Sequence, residues 1–270
     1  GPTLEDALND TFHDSYNVPF FSHLMTFVVS KEVAQKDMKN FYDFLLRDTD
    51  FRKDFQFYVT EDIDSILDYV PKKEESFGEN AKKLSKTMIE KNGKYKTCTF
   101  REIVYHYLRG NTYMLGGIRV DDEKVTIEEN YLFENDKLVL EVDEYASLFL
   151  NLLYEQNESF LLQEENTYLF HDYKLERNIQ EDKIVLNFNG NVRLMNVYDK
   201  DGLTSEEMVK LEKEINDKIE KLFNDIIEYS KKNDIDMFNF GYFYYLHYPR
   251  LAKKKSWKDL NLIHLFLLLW

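Results

Sequence analysis

Apolar positions near the N-terminus follow a repeated order of strand and helix. The run Leu24–Val29 predicts a buried strand, and helically spaced apolar positions over residues 31–46 predict a helix capped by Ser30. Phe55–Val59 predicts a second strand and residues 61–69 a second helix. An order of strand, helix, strand and helix is typical of a βαβ unit with parallel strands. Residues 3–12 predict a short helix before it.

The middle of the chain changes from helices to paired strands. Residues 77–91 and 99–109 predict two helices, separated by an Asn92-Gly93 turn. Residues 142–155 predict a further helix. Between these helices, polar turns join three strand-like segments, which are Tyr113–Val120, Lys124–Phe133 and Lys137–Leu140.

Strands dominate the next part of the chain. Asn189-Gly190 predicts a two-residue hairpin turn, because both residues tolerate the positive φ that such a turn needs. The predicted strands are Phe160–Leu162, Tyr168–Leu175, Lys183–Phe188 and Asn191–Tyr198.

One long helix is predicted over residues 204–232. Thr204 and Glu207 have the spacing of a capping box. An apolar stripe runs along one face, and the opposite face is charged, which favours a helix laid on a sheet over a coiled coil. The stripe comprises Met208, Leu211, Ile215, Ile219, Leu222, Ile226 and Tyr229.

These patterns predict an α+β fold of two to three consecutive mixed α/β domains. Each domain has a small sheet with packed helices, and the last contains the long amphipathic helix. The charged segment Pro71–Glu75 and the polar segment Gln156–Glu158 mark the boundaries. The predicted domains are residues 1–72, which continue an N-terminal domain whose upstream part we expect to be missing, 73–157 and 158–270.

Composition limits the partners of this chain. With 43% hydrophobic and 16% aromatic residues, it has the composition of a globular protein. The net charge of −15 disfavours nucleic-acid binding and is compatible with solubility or with a basic partner. Lys253-Lys254-Lys255 is the one clear basic run. It is too short to form a nucleic-acid patch on its own and is compatible with a place near anionic lipid headgroups.

Residue types that carry catalysis form no specific arrangement. The sequence has no GxSxG, P-loop, GxGxxG, CxxC or HExxH motif. No two of its six histidines lie three or four residues apart, so no helical metal pair is predicted. Cys98, the only cysteine, predicts a buried, inert thiol. We therefore expect no enzyme activity, no cofactor and no metal site.

The C-terminal segment Leu260–Trp270 is strongly apolar but shorter than a membrane-spanning helix. Three interpretations stay open for it: a buried terminal strand, an edge that recruits a partner, and an ending derived from cloning.

Several motifs occur in an order known from one protein family. Ser22–Leu24 leads into an apolar strand, and the helix after it ends in Phe44–Asp48. Ser76–Asn80 and Phe133–Val139 follow at the expected places. On these blocks, over nearly its whole length, the chain resembles the C-subunit lipoproteins of bacterial spore germinant receptors.

The strongest likeness to that family follows the long helix. Residues 234–241, then Tyr248-Pro249 and Trp257, are similar to the family pattern Asp-x-Phe-Gly-Phe-Gly … Tyr-Pro … Trp, with Asn239 in place of one Gly. Here glycine permits close backbone approach, proline ends a helix and tryptophan anchors a core or an interface. The candidate residues, for fold definition first and partner contact second, are Asp236, Phe238, Phe240, Gly241, Pro249 and Trp257.

The resemblance implies a location and partners. Members of the family are lipid-anchored on the outer face of the spore inner membrane and assemble with two integral-membrane subunits into a nutrient receptor. Their fold resembles three α/β domains in a row, and no enzymatic activity is attached to them. The lipid-bearing cysteine has no counterpart in this sequence, because Cys98 lies too far inside, so we expect the anchor upstream.

Three hypotheses about function follow. In the first, the chain is a non-catalytic receptor subunit that works through protein–protein contacts at a membrane surface. In the second, it binds a small-molecule nutrient directly, in a cleft between domains. The third, an enzyme with an unrecognised site, would need an acid/base pair in a pocket.

Overall fold

The structure, a computed structural model, divides into two compact units. The first unit comprises Gly1–Lys86 and Thr97–Glu141, and the second comprises Thr87–Lys96 and Val142–Trp270. The structure describes residues 6, 8, 10, 21–71, 76–91, 95–121, 124–154, 159–163, 167–180, 183–195 and 204–269. Most of the helix predicted over residues 3–12 and the predicted Asn92-Gly93 turn lie outside these residues.

A mixed sheet forms the centre of the first unit. Its strands are β1 (Thr26–Ser30), β2 (Gln56–Thr60), β3 (Cys98–Thr99), β4 (Tyr113–Asp121), β5 (Lys124–Glu134) and β6 (Lys137–Val142). The order across the sheet is β1-β2-β4-β5-β6, and β3 pairs with β2. β1 and β2 are parallel, which confirms the pairing predicted for a βαβ unit. β2 and β4 are also parallel, whereas β4 and β5 are antiparallel.

The helices that accompany this sheet differ from the prediction at one point. They are α1 (Lys31–Ala34), α2 (Lys39–Arg47), α3 (Ile63–Leu67), α4 (Phe77–Lys91) and α5 (Phe100–Tyr107). Ser30 caps α1 as predicted, but the single helix predicted over residues 31–46 is wrong. Two contacts define the break: the Asp37 carboxylate accepts a bond of 2.9 Å from the Lys39 backbone, and the Met38 backbone N–H donates to Asp136 O at 3.0 Å.

Aromatic side chains fill the core of the first unit. The hydroxyl oxygens of Tyr42 and Tyr113 lie 2.8 Å apart. Both side chains are buried, and burial raises the pKa of each phenol. Phe55 and Phe100 stack with ring centroids 5.2 Å apart. The Cys98 side chain is 1% exposed, which confirms the predicted buried thiol.

The second unit has its own sheet. Its strands are β7 (Ser159–Gln163), β8 (Thr167–Gln180), β9 (Lys183–Leu194) and β10 (Asn261–Leu269), in the order β10-β9-β8-β7. Its helices are α6 (Glu144–Tyr154), α7 (Ser205–Asn233), α8 (Phe240–His247) and α9 (Pro249–Ala252). β10 pairs in parallel with β9 at the edge of the sheet, so the apolar C-terminal segment is a strand.

The hairpin turn predicted at Asn189-Gly190 is wrong. Both residues lie inside β9, where Asn189 is opposite Lys174 of β8 and Gly190 is opposite Leu268 of β10. Pairing on both sides holds this segment extended, and that tertiary constraint overrides the local turn propensity. The pairing of β8 with β9 is irregular at another place. Its register shifts between His171 and Lys174 of β8, where Asp172 has a φ of 50°.

The long amphipathic helix is confirmed, and with it the α+β class. Thr204 and Glu207 form the predicted capping box. The buried face is shifted from the predicted stripe: Phe223 is buried, whereas Met208 and Tyr229 are 39% and 44% exposed. Phe223 packs edge-on against Phe149 of α6 at 5.3 Å.

The predicted domain boundaries fall at different places relative to these sheets. The boundary at 72/73 separates β2 from β4, which are neighbours in one sheet. The boundary at 157/158 lies between α6 and β7, which both belong to the second unit. The three-part division stays a prediction.

Candidate functional site

The chain turns sharply between α7 and α8, in a segment that we call the helix corner (residues 234–241). Asp234, at the end of α7, has a φ of 61°, and Asn239, before α8, has a φ of 53°. Both values lie in the left-handed region, which ends a helix and redirects the chain. The candidate residues from the end of the long helix therefore belong to a chain reversal.

Asp236 caps α8 from inside the helix corner. Its Oδ1 atom accepts a bond of 2.9 Å from the Phe240 backbone N–H, and its Oδ2 atom accepts one of 2.7 Å from that of Gly241. Backbone N–H groups in the first turn of a helix lack intrahelical partners and favour a negative charge. The side chain of Asn239, at the N-cap, makes no capping hydrogen bond, so the Asp236 carboxylate caps the helix instead.

Phe238 and Phe240 attach the helix corner to the core of the second unit. Both side chains are fully buried, and their rings stack at 5.3 Å. Phe238 also lies 5.5 Å from Phe223 of α7. Aromatic pairs at these distances stabilise packing beyond simple burial.

Gly241 is in close contact with two other candidate residues. A Cβ atom at this position would lie 3.1 Å from Oδ2 of Asp236 and 3.1 Å from Cβ of Trp257. Trp257 begins a short 3₁₀ turn, and the neighbouring Lys258 pairs with Asp234 at 2.6 Å. Because Gly241 has no side chain, Asp236 and Trp257 can both pack against the first turn of α8.

Pro249 lies apart from the other candidates. It is exposed and occupies the first position of α9, where its missing N–H costs no hydrogen bond. The structure therefore brings Asp236, Phe238, Phe240, Gly241 and Trp257 together and leaves Pro249 outside.

Arg177 of β8 also supports the helix corner and was missed at the level of sequence. Its Nη1 donates a bond of 3.0 Å to the backbone carbonyl of Phe238, and its guanidinium lies 4.7 Å from the centre of the Phe243 ring. The Phe238 carbonyl is 61 positions away along the chain. No local pattern marks such a contact.

The helix corner is built to hold backbone rather than to perform chemistry. Both carboxylate oxygens of Asp236 accept backbone N–H groups, and Phe238 and Phe240 are enclosed. A general acid or base needs a titratable group within reach of a substrate. The arrangement instead fixes the direction of α8 relative to the end of α7.

A second feature, the cationic cleft, lies in the first unit and has a volume of about 400 Å³. Three cationic side chains and one carboxylate line it beside apolar residues. They are Arg52, Lys53, Asp54 and Arg101, with Leu46, Phe51 and Val104.

Backbone contacts assemble the cationic cleft. The Arg101 N–H donates to the carbonyl of Lys53 at 2.8 Å, which places the first turn of α5 beside the segment before β2. The Lys53 ammonium donates to the backbone carbonyls of Leu45 and, at 2.6 Å, Asp48. Burial lowers the pKa of Lys53. Sequence reasoning missed this cleft, because its residues come from three separate segments.

Neither a metal-binding cluster nor a membrane-spanning helix occurs in the described part of the chain. There, no group of three or more His, Cys, Asp or Glu side chains is arranged to hold a metal ion. Over the same residues, no helix combines the length and the apolar character needed to cross a membrane.

Two protein-family models match this chain, one in each half. The family model described as the spore germination protein N-terminal domain matches residues 1–120. The model described as spore germination B3/GerAC like, C-terminal, matches residues 129–264. A comparison with curated proteins finds no match.

One solved structure shares the fold. It is described as the crystal structure of the GerBC protein and superimposes with a TM-score of 0.66 at 10% sequence identity. The match covers 94% of this chain and 81% of that chain. At this identity the likeness concerns the fold alone.

Proposed function

Because this chain belongs to the spore germination B3/GerAC-like family, we propose that it is a non-catalytic subunit of a nutrient germinant receptor that supports spore germination through protein–protein contacts. The observation that carries the proposal is the match of family models to both halves of the chain, over residues 1–120 and 129–264. The family predicted from the sequence motifs is thereby confirmed.

The helix corner supports a role in contact rather than catalysis. The Asp236 carboxylate in it caps α8, and the Asp234 carboxylate pairs with Lys258. This geometry holds α8 and α9 in a fixed orientation. A surface with a fixed shape favours protein–protein contacts that depend on shape complementarity.

The proposed location is the outer face of the spore inner membrane. The protein would be held there by a lipid on an upstream segment, and its partners would be two integral-membrane subunits of the same receptor. A single lipid chain binds a membrane only weakly and reversibly, so contacts by the folded body would add to it.

The test is co-purification with those two subunits in detergent. We expect the full-length protein to be retained on the tagged membrane subunits, and an excess of the untagged 270-residue chain to reduce that retention. Competition distinguishes a saturable contact from adsorption. Retention equal to that on resin without the subunits would contradict the proposal.

A second candidate function, direct binding of a small nutrient, is favoured by the cationic cleft. Its volume of about 400 Å³ lies within the range of about 300–1,000 Å³ typical of small-molecule sites. Arg52 and Arg101 suit a carboxylate, and the apolar wall of Leu46, Phe51 and Val104 suits the body of the ligand. The matching ligand class is a small carboxylate-bearing nutrient.

Titration calorimetry with amino acids and with their amides, which lack the carboxylate but keep the α-amino group, tests this second function. We expect heat with the acids and little with the amides, and loss of binding in the double variant Arg52→Gln/Arg101→Gln. Arg109→Gln is the matched control, because Arg109 lies on the same unit and stacks on Tyr105 outside the cleft. Equal binding by both variants would contradict a role for the cleft.

A further inference from the structure

The segment that follows the helix corner has a charge opposite to that of the whole protein. The chain carries a net charge of −15 and 50 acidic residues. Residues 240–258 nevertheless contain five Lys and Arg residues and no acidic one. This segment forms α8, α9 and the turn after α9.

Apolar and basic side chains are exposed together on this segment. Tyr245, Leu246 and Leu251 are 46%, 58% and 53% exposed. Arg250, Lys253 and Lys254 are also exposed. We call these six residues the basic face.

The basic face is held on a rigid support. Phe240 and Tyr244 of α8 are buried, and the Lys255 ammonium lies 5.9 Å from the centre of the Tyr244 ring. The backbone turns twice within a few residues, where Ala252 N donates to Tyr248 O at 2.9 Å and Lys254 N to Leu251 O at 2.9 Å. Lys258 is engaged by Asp234, so the outward-facing cations are those of the basic face.

We propose that the basic face docks on the surface of an anionic lipid bilayer. Exposed apolar side chains beside Lys and Arg are the combination that inserts at the boundary of headgroups and acyl chains. The remainder of the chain carries a net negative charge, which anionic lipid repels, and this repulsion favours approach by the basic face. Attraction and repulsion together orient the protein with α8 and α9 toward the membrane.

This inference deepens the proposed function, on which it rests for the presence of a membrane. It adds a second attachment point, far along the chain from the expected upstream lipid. Each basic side chain near an anionic surface contributes about fivefold to binding, and salt weakens that contribution.

Vesicle flotation of the 270-residue chain tests the inference without partner proteins. The vesicles are phosphatidylcholine alone and phosphatidylcholine with about 30 mol% phosphatidylglycerol, which gives the bilayer a negative surface potential. We expect binding to the anionic vesicles only, and at least a tenfold loss in 0.5 M salt, since the Debye length then falls below about 5 Å.

Three variants identify the surface that binds. Lys253→Glu/Lys254→Glu is expected to lower the affinity at least tenfold, and Leu246→Ser/Leu251→Ser several-fold. The matched control is Lys213→Glu/Lys221→Glu, which changes the net charge equally on the exposed side of α7 and is expected to bind nearly as wild type.

Three outcomes would overturn the inference. Binding to neutral vesicles as strong as to anionic ones would leave no role for charge, and equal losses in the two lysine pairs would leave no role for the basic face. A chain that ignores anionic vesicles, yet needs Lys253 and Lys254 for co-purification in detergent, would have an acidic protein surface as its partner instead. Because the vesicles contain no protein and the detergent assay contains no bilayer, the two proposals fail separately.

Discussion

The Oδ2 atom of Asp236 lies 2.7 Å from the backbone nitrogen of Gly241 and would lie 3.1 Å from a Cβ atom at that glycine. One carboxylate therefore both caps α8 and occupies the space that a side chain at position 241 would need. This pair explains why an acid and a glycine occur five residues apart at the end of the long helix.

Removing the Asp236 carboxylate is expected to destabilise the second unit. Asp236→Ala leaves two backbone N–H groups of α8 without their acceptor, and we expect a loss of about 1–2 kcal/mol in the free energy of unfolding. Urea denaturation measures it. Asp225→Ala, at an exposed position of α7, is the control, and equal urea midpoints for the two variants would contradict the capping role.

Adding a methyl group at Gly241 is also expected to destabilise. Alanine is favoured over glycine in helix interiors by about 1 kcal/mol, yet here its Cβ would press on Asp236 and Trp257, so we expect Gly241→Ala to lower the melting temperature. The double variant Asp236→Ala/Gly241→Ala is expected to lose less than the sum of the single losses. A higher melting temperature for Gly241→Ala would show that the space is available.

At position 239, we expect the backbone conformation alone to decide how a substitution changes the free energy of unfolding. Asn239 has a φ of 53°, which Gly adopts freely and Ala does not. We expect Asn239→Gly to change the free energy of unfolding by less than about 0.5 kcal/mol and Asn239→Ala to lower it by about 1 kcal/mol. Chemical denaturation of both variants checks this, and the reverse order would mean that the asparagine side chain is what matters.

Asp136 is expected to make the stability of the first unit depend on pH. Burial, and then repulsion from Asp37, raise its pKa to about 6 from 3.8. The folded state therefore holds the proton more tightly, and the ionised carboxylate destabilises it increasingly as pH rises through 6. Asp136→Asn removes this cost and keeps a residue that tolerates the φ of 62° at this position.

Melting of wild type and Asp136→Asn across pH 4 to 8 measures the effect. We expect the variant to be more stable by about 1 kcal/mol above pH 7, less than the full shift would give because the carboxylate is partly solvated. The difference should shrink toward zero as pH falls from 6 to 4. Asp50→Asn, at an exposed position, is the control, and a difference that does not vary with pH would contradict the shifted pKa.

Local features of the sequence determined much of this protein. Helical spacing and the Thr204–Glu207 capping box predicted α7 to within a residue, because caps and periodicity act over a few neighbouring positions. Parallel pairing of β1 and β2 followed from the order of strand, helix and strand. The order of the motifs also predicted the family, which the matches to both halves of the chain confirm.

Tertiary structure alone decided the features whose partners are distant along the chain. Asn189 and Gly190 have the preferences of a turn, but strands on both sides hold them in β9. Residues 35–38 interrupt a helical pattern because the Met38 N–H reaches the carbonyl of Asp136, 98 positions later. Arg177 supports the Phe238 carbonyl, and Arg101 joins Arg52 in one cleft, through contacts that no window of sequence contains. Short-range propensity depends only on neighbouring residues. These contacts, by contrast, exist only once the sheets have formed and brought remote backbone groups within hydrogen-bonding distance.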